Sequence, residues 1–327
     1  MKLTPGKLAG LKAVSDAQGI ITATAMDHRG PLQEMLTKER GGTVDDADLA
    51  EFKSIVTDVL TEYSSAILLD PVIGLSAARF RKKAGLLLAY ERTGYYNPSV
   101  PGRLPELLDG CSVRRLKEAG ADCIKFLLYY TPLAEASINE LKHSWIERIG
   151  DECIANDIPF FLELMGYDVD ECDPKSLGYA KKKPQIVIGA MTEFGKARYG
   201  IDVMKVEIPV EMNYVLGTQA FNGEAAYTQS EALKHFREAD SATDKPFIYL
   251  SANVSNAVFI ESLELAVGSG TRFSGVLCGR AIWKDGIPIY AKYGATAFQE
   301  WLRSSGVENI RNIKRVIQGA CSWHLKP

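Results

Sequence analysis

Apolar runs five to nine residues long recur along this chain, separated by longer stretches in which apolar and charged residues are spaced as on helices. Eight can be marked, at 19–26, 65–69, 85–90, 122–130, 159–165, 202–209, 246–252 and 273–279. Their continuous apolar character predicts parallel strands covered on both faces, since a half-solvated sheet would alternate apolar with polar. Helices are expected between them at 45–63, 104–116, 138–156, 186–199, 229–239, 256–268 and 291–304. In the second of these, Leu104, Leu107, Leu108, Val113 and Leu116 approximate one face, and Gly120 ends the pattern as a left-handed cap. Eight strands alternating with helices, and no linker long enough to divide the chain, predict an α/β fold: one (β/α)₈ TIM barrel over residues 1–327.

Composition narrows the classes. With 46% hydrophobic and 24% charged residues and a formal net charge of −3, the chain has no basic surplus for nucleic acid. No apolar run reaches membrane-spanning length and the first residues lack a signal-peptide core, so the expectation is a cytoplasmic protein with neither nucleic-acid nor membrane partner. The six cysteines form no CxxC pair and are expected to be reduced packing thiols. Four histidines without HxxH or HExxH spacing argue against a zinc centre, so no metal or cofactor is expected.

The candidate chemistry comes from charges placed in or at the ends of apolar strands, where an ionisable group needs a solvated barrel end or a function. Asp27 follows ITATAM, Asp70 follows AILL, Lys125 stands in CIKFLL, Glu163 in FFLELM and Lys205 in VMKVEI, while Arg280 follows VLCG. Residues 120–125 and 200–205 both read Gly-x-Asp-x-x-Lys. On the fourth and sixth strands of a barrel, that shared offset sends Lys125 and Lys205 inward at similar height, with Glu163 of the fifth strand between them. Two amines and a carboxylate at a barrel mouth suit Schiff-base chemistry: Lys205 attacks a ketone, Lys125 is the neighbouring cation, Glu163 moves protons and Asp27 orients hydroxyls. The bland alternative is a buried ion-pair network, and Glu207 is assigned to such a network. Asp70, followed by Pro71, is read as a cap in preference to a ligand. A phosphate site is expected at the ends of strands seven and eight, where Ser251 in SANVS and Gly279 and Arg280 in CGRA offer N–H groups and a cation. The sequence GSG at 268–270 is read as a helix cap.

The stretches MDHRG (26–30), SAILLDP (65–71), GLLLAYERTGY (85–95), KFLLYY (125–130), KVEIP (205–209) and GVLCGRAIW (275–283) together resemble the bacterial tagatose-1,6-bisphosphate aldolase family over nearly the whole chain. KVEIP alone also suits related class I aldolases, including ones acting on sulfofructose phosphate. The resemblance implies reversible cleavage of a ketose 1,6-bisphosphate to dihydroxyacetone phosphate and glyceraldehyde 3-phosphate. It carries the Schiff-base role to Lys205, proton transfer to Glu163, assistance to Lys125 and Asp27, and phosphate binding to Ser251 and Arg280. The partner so implied is a phosphorylated sugar, and a homo-oligomer is expected. Family members read Asp-Gln-Arg where this chain has Asp27, His28 and Arg29, which places His28 near substrate and leaves the sugar epimer open. Arg29 is the candidate for a second anion pocket. Residues 167–185 and 211–227 resemble the family least. Alternatives are a fructose 1,6-bisphosphate or sulfofructose phosphate aldolase, a sugar-phosphate sensor that keeps the barrel, and a metal-dependent barrel enzyme.

Overall fold

All eight apolar runs form strands, trimmed at their ends: β1 (Ile21–Met26), β2 (Ala66–Leu69), β3 (Gly85–Ala89), β4 (Cys123–Tyr130), β5 (Phe160–Gly166), β6 (Val203–Val206), β7 (Phe247–Tyr249) and β8 (Gly275–Cys278). They pair in sequence order, all parallel, and β8 returns to β1 through Ile21↔Gly275 to Thr24↔Cys278, closing a barrel. The computed structural model describes residues 3–92, 102–170 and 173–325.

Period-two alternation divides the strands between two apolar regions. One set, including Ala23, Ala25, Leu68, Leu87, Cys123, Phe161, Val203, Ile248 and Leu277, fills the barrel interior together with Leu11 and Val14. The alternate set, including Met26, Ile67, Leu88, Phe126, Leu162, Met204, Tyr249 and Val276, packs outward in the cluster that holds the buried faces of the helices. Both faces are dry, which is why the strands read as continuous apolar runs.

The helices are α1 (Pro5–Ala13), α2 (Gly30–Arg40), α3 (Asp46–Leu60), α4 (Val113–Glu118), α5 (Ala136–Ala155), α6 (Leu177–Phe194), α7 (Gln229–Ser241), α8 (Asn256–Gly268), α9 (Arg280–Trp283), α10 (Ile287–Trp301) and α11 (Val307–Val316). Helix α3 opens on an Asp45–Asp48 capping box and buries Leu49, Phe52, Val56 and Leu60. Helix α8 ends at Gly268, with Gly270 left-handed at φ 80°, as the cap reading of GSG requires.

Three helix expectations are corrected. The helix expected at 104–116 exists only as α4. Before it, Leu107 bridges Glu91 antiparallel and the amides of Arg92 and Leu108 bond Glu106 and Tyr90, so strand-like pairing replaces the helical turn. Helix α6 starts at Leu177, not 186, and runs through Pro184. A proline there leaves the carbonyl four residues back without its amide donor, and the Tyr227 hydroxyl donates to that carbonyl, Ala180 O. Helix α10 starts at Ile287, not 291, and is interrupted where Gly294 is extended at φ 80°, ψ −173°.

Candidate functional site

Three inward positions above the apolar interior carry charge. On β4 the inward series continues from Cys123 to Lys125, on β5 from Phe161 to Glu163, and on β6 from Val203 to Lys205. Strand register puts Glu163 beside Lys205 directly and beside Leu127, two residues past Lys125. The convergence expected from spacing is present: Glu163 Oε1 lies 2.7 Å from Lys205 Nζ, and its Oε2 lies 2.7 Å from Lys125 Nζ.

The two lysines differ in company. Lys125 is fully buried and pairs with Glu163, with Asp27 at 2.9 Å and with Glu91. Burial works against its charge, but Asp27, Glu163 and Glu91 outweigh it and raise the pKa well above the ordinary lysine value. Lys125 is therefore a fixed cation held by three carboxylates. Burial opposes ionisation of Asp27 and Glu163 too, yet Lys125 lowers both carboxyls, with help from Lys205, and His28 also lowers Asp27.

A cavity of about 260 Å³ opens over these groups, with Asp27, His28, Glu163 and Lys205 in its wall. Lys205 faces this space, whereas Lys125 lies outside the lining and contacts it only through its carboxylates. Ser251, Gly279 and Arg280 line the cavity together, as the sequence places them. Arg280 is half-buried, and burial lowers its pKa despite Asp27 and Glu163. His28 packs edge-on against Trp283 at 5.4 Å, and its buried Nδ1 lies 3.7 Å from Asp27 Oδ1 with no hydrogen-bond partner among the described residues. Burial brings its pKa down to about 4, with Asp27 opposing and Arg280, Lys205 and Lys53 assisting, so the imidazole is neutral at physiological pH.

Arg29 stands at the N-cap position of α2 without a side-chain cap bond and donates from Nη2 to Glu91 O at 3.2 Å; the arginines in the cavity wall are Arg92 and Arg280. Asp70 is also absent from the lining: it accepts from the amides of Val72, Ile73 and Gly74 and pairs with Lys53, the structural role read for it. Glu207 belongs to a supporting network with Lys183 at 3.9 Å and the Gly166 amide at 2.6 Å. Of the cysteines, Cys111, Cys123, Cys153, Cys278 and Cys321 are free thiols. Cys172 lies outside the described residues, as do residues 93–95 of the GLLLAYERTGY stretch. Sequence reasoning missed Glu91, although a carboxylate ending the apolar run GLLLAY is the same signal that singled out Asp27 and Asp70.

The model of the DeoC/LacD family of aldolases matches residues 21–285, from β1 past β8. The chain belongs to that aldolase family. The family's enzymes are aldehyde-lyases, and the lysine-bearing strands β4 and β6 lie inside the matched span. Among curated relatives, tagatose 1,6-diphosphate aldolase 2 of Enterococcus faecalis is 50% identical over 100% of this chain and 98% of its own length. The tagatose 1,6-diphosphate aldolase of Streptococcus pneumoniae is 48% identical over 99% of each. The barrel of this aldolase also resembles solved structures at low identity. A fructose-bisphosphate aldolase of Plasmodium falciparum superposes with a TM-score of 0.72 at 12% identity, covering 98% of this chain and 97% of that one. An archaeal fructose 1,6-bisphosphate aldolase gives 0.60 at 16%, covering 95% and 98%. Among the described residues, no helix is long and apolar enough to cross a membrane.

Proposed function

We propose that this chain cleaves a ketose 1,6-bisphosphate, tagatose 1,6-bisphosphate foremost, reversibly to dihydroxyacetone phosphate and glyceraldehyde 3-phosphate through a Schiff base on Lys205. The reading rests on the Lys205–Glu163 contact of 2.7 Å in the wall of the cavity that Ser251, Gly279 and Arg280 also line. Glu163 accepts a proton from the Lys205 ammonium, and the freed amine adds to the C2 carbonyl of the ketose. Glu163 returns its proton to the hydroxyl of that adduct, which leaves as water and gives an iminium. Glu163 then takes the C4 hydroxyl proton, the C3–C4 bond breaks, and its electron pair flows into the iminium to leave an enamine while glyceraldehyde 3-phosphate departs. Protonation at C3 and hydrolysis release dihydroxyacetone phosphate and restore the amine. Lys125 holds Asp27 and Glu163 in place and favours their ionised forms at rest, so that Glu163 starts the cycle as a base. The neighbouring Ser251, Gly279 and Arg280 suit the phosphate next to the reacting ketone.

Fructose 1,6-bisphosphate is the second reading, because His28 stands in the wall beside Asp27 where the family resemblance implies glutamine, which leaves the epimer open. The two bisphosphates differ at a single carbon, and a changed hydrogen-bonding side chain in the cavity wall bears on epimer choice. The decisive experiment treats the full chain with dihydroxyacetone phosphate and borohydride, and assays cleavage of both epimers with and without EDTA. An adduct on the peptide containing Lys205, with cleavage insensitive to EDTA, is expected. An adduct on Lys125 alone, or loss with EDTA restored by zinc, rejects the mechanism.

A further inference from the structure

Helix α3 carries a charge that its amphipathic pattern does not call for. Lys53 sits in the row of core positions between Leu49, Phe52 and Val56 and is fully buried, as is Asp70, its ion-pair partner at 2.5 Å. A buried ammonium is retained only where its donors are used. Two of them go to backbone carbonyls, Met26 O at 2.9 Å and His28 O at 2.7 Å. These are the carbonyls of the two residues that flank Asp27. Met26 is the last residue of β1 and His28 lies between β1 and α2, so the two bonds span the point where the strand hands over to the turn. Asp70, in turn, is immobilised by the amides of Val72, Ile73 and Gly74 at 2.8–3.1 Å.

We propose that Lys53, anchored by Asp70, is a positioning residue for the aldolase reaction: it clamps the turn that carries Asp27 and His28 and thereby sets both side chains against the substrate. The inference rests on the Schiff-base reading above and adds a device that touches no substrate itself. A turn carrying two cavity side chains and leaving a strand has soft dihedrals, and a shift of about 1 Å in a group that must meet a substrate hydroxyl costs roughly 10²-fold in rate.

Replacing both charges together, Lys53→Met with Asp70→Asn, avoids leaving a buried charge alone, and such exchanges are well tolerated by folds. Four readouts are taken on the full chain: thermal midpoint, moles of borohydride-trapped dihydroxyacetone phosphate per mole of chain at Lys205, kcat for cleavage, and the His28 midpoint from NMR of labelled histidine, assigned with His28→Gln. Trapping counts competent sites, so partial unfolding cannot pass for mispositioning. The expected result is near-stoichiometric trapping with kcat lowered roughly 10- to 100-fold. The His28 midpoint should rise, because Lys53 adds to burial, Arg280 and Lys205 in depressing it against Asp27; that shift reports the lost charge and accompanies the kinetic readout. A folded variant with kcat within a factor of two of the parent overturns the proposal. Should the double variant fail to fold, Asp70→Glu keeps the ion pair and leaves no buried charge alone, but displaces the anchor by one methylene. Lowered kcat with full trapping then supports the clamp, and unchanged kcat rejects it. Failure to trap at Lys205 in the parent chain rejects the Schiff-base reading instead, and the kcat of the folded double variant still judges the clamp.

Discussion

Strands β4 and β6 begin alike and end differently. Each is entered through a left-handed glycine, Gly120 at φ 99° and Gly200 at φ 62°, a conformation that L side chains resist. Two residues on, Asp122 and Asp202 do the same work. The Asp122 amide donates to Leu86 O and its carboxylate accepts from Leu86 N at 2.8 Å, while the Asp202 amide donates to Phe160 O and its carboxylate accepts from Phe160 N at 2.9 Å. Each aspartate thus pins the start of its strand to the preceding strand. Three residues further, Lys125 and Lys205 emerge inward, but Lys125 meets three carboxylates and Lys205 meets one. Identical local chemistry sets where an amine arrives, and the neighbouring strands decide what it becomes. One amine is held as a buried cation, and the other stands at a cavity with a single base beside it.

The strongest test of that division is covalent. Lys205→Ala is expected to abolish the borohydride adduct and to lower kcat by roughly 10⁴-fold or more, whereas Lys125→Ala should retain part of the adduct despite impaired turnover. Peptide mass mapping reads the first and a coupled cleavage assay the second. Equal labelling of both lysines would erase the distinction.

Stability should separate the lysines in the opposite sense. Lys125→Met leaves Asp27 and Glu91 buried without their shared cation and Glu163 with Lys205 alone, a loss of about 3–5 kcal/mol visible in urea or thermal unfolding. Lys205→Met removes one contact from a carboxylate that keeps Lys125, and should cost less. A larger loss at Lys205 would mean that the cavity lysine carries the network.

The contribution of Lys125 should also have a pH window. Asp27 is held below its ordinary value of 3.8, so its share is present above that pH and fades as pH falls through the lower folded value. Lys125 is raised above 10.5, so its share is present below that pH and fades as pH rises through the higher folded value. Burial raises Glu91 above its ordinary 4.5 despite Lys125, so the difference in unfolding free energy between the parent and Lys125→Met is expected to be fullest from above that value up to 10.5 and to shrink outside that range. A difference that changes steadily across neutral pH would assign the stabilisation to another group.

The smallest effects lie at the strand starts. Asp122→Ala strips the Leu86 amide of its carboxylate and should cost about 1–3 kcal/mol with little change in kcat. Asp202→Ala should cost more, because it also strands Lys7, paired with Asp202 at 2.7 Å. Equal losses, measured by urea unfolding, would show that Lys7 contributes nothing.

These contrasts mark what could be read before folding. The amino-acid sequence determined the number, order and parallel sense of the strands, because a strand dry on both faces must be apolar throughout. It also determined the inward register of Lys125, Glu163 and Lys205, since side chains alternate strictly along a strand. The lost helix at 104–112 was not legible, because its spacing of leucines suits a helix and only the edge presented by Glu91 and Tyr90 draws it into pairing. Likewise Lys53 reads as one more lysine on an amphipathic helix until α3 packs against the end of β1. Tertiary structure alone decided which carboxylates surround Lys125, that Arg29 turns to the Glu91 carbonyl while Arg92 lines the cavity, and that His28 is desolvated beside Trp283. Each depends on the distance between groups far apart in the chain, and electrostatic interactions are set by that distance and by the water excluded between them, neither of which is a property of local sequence.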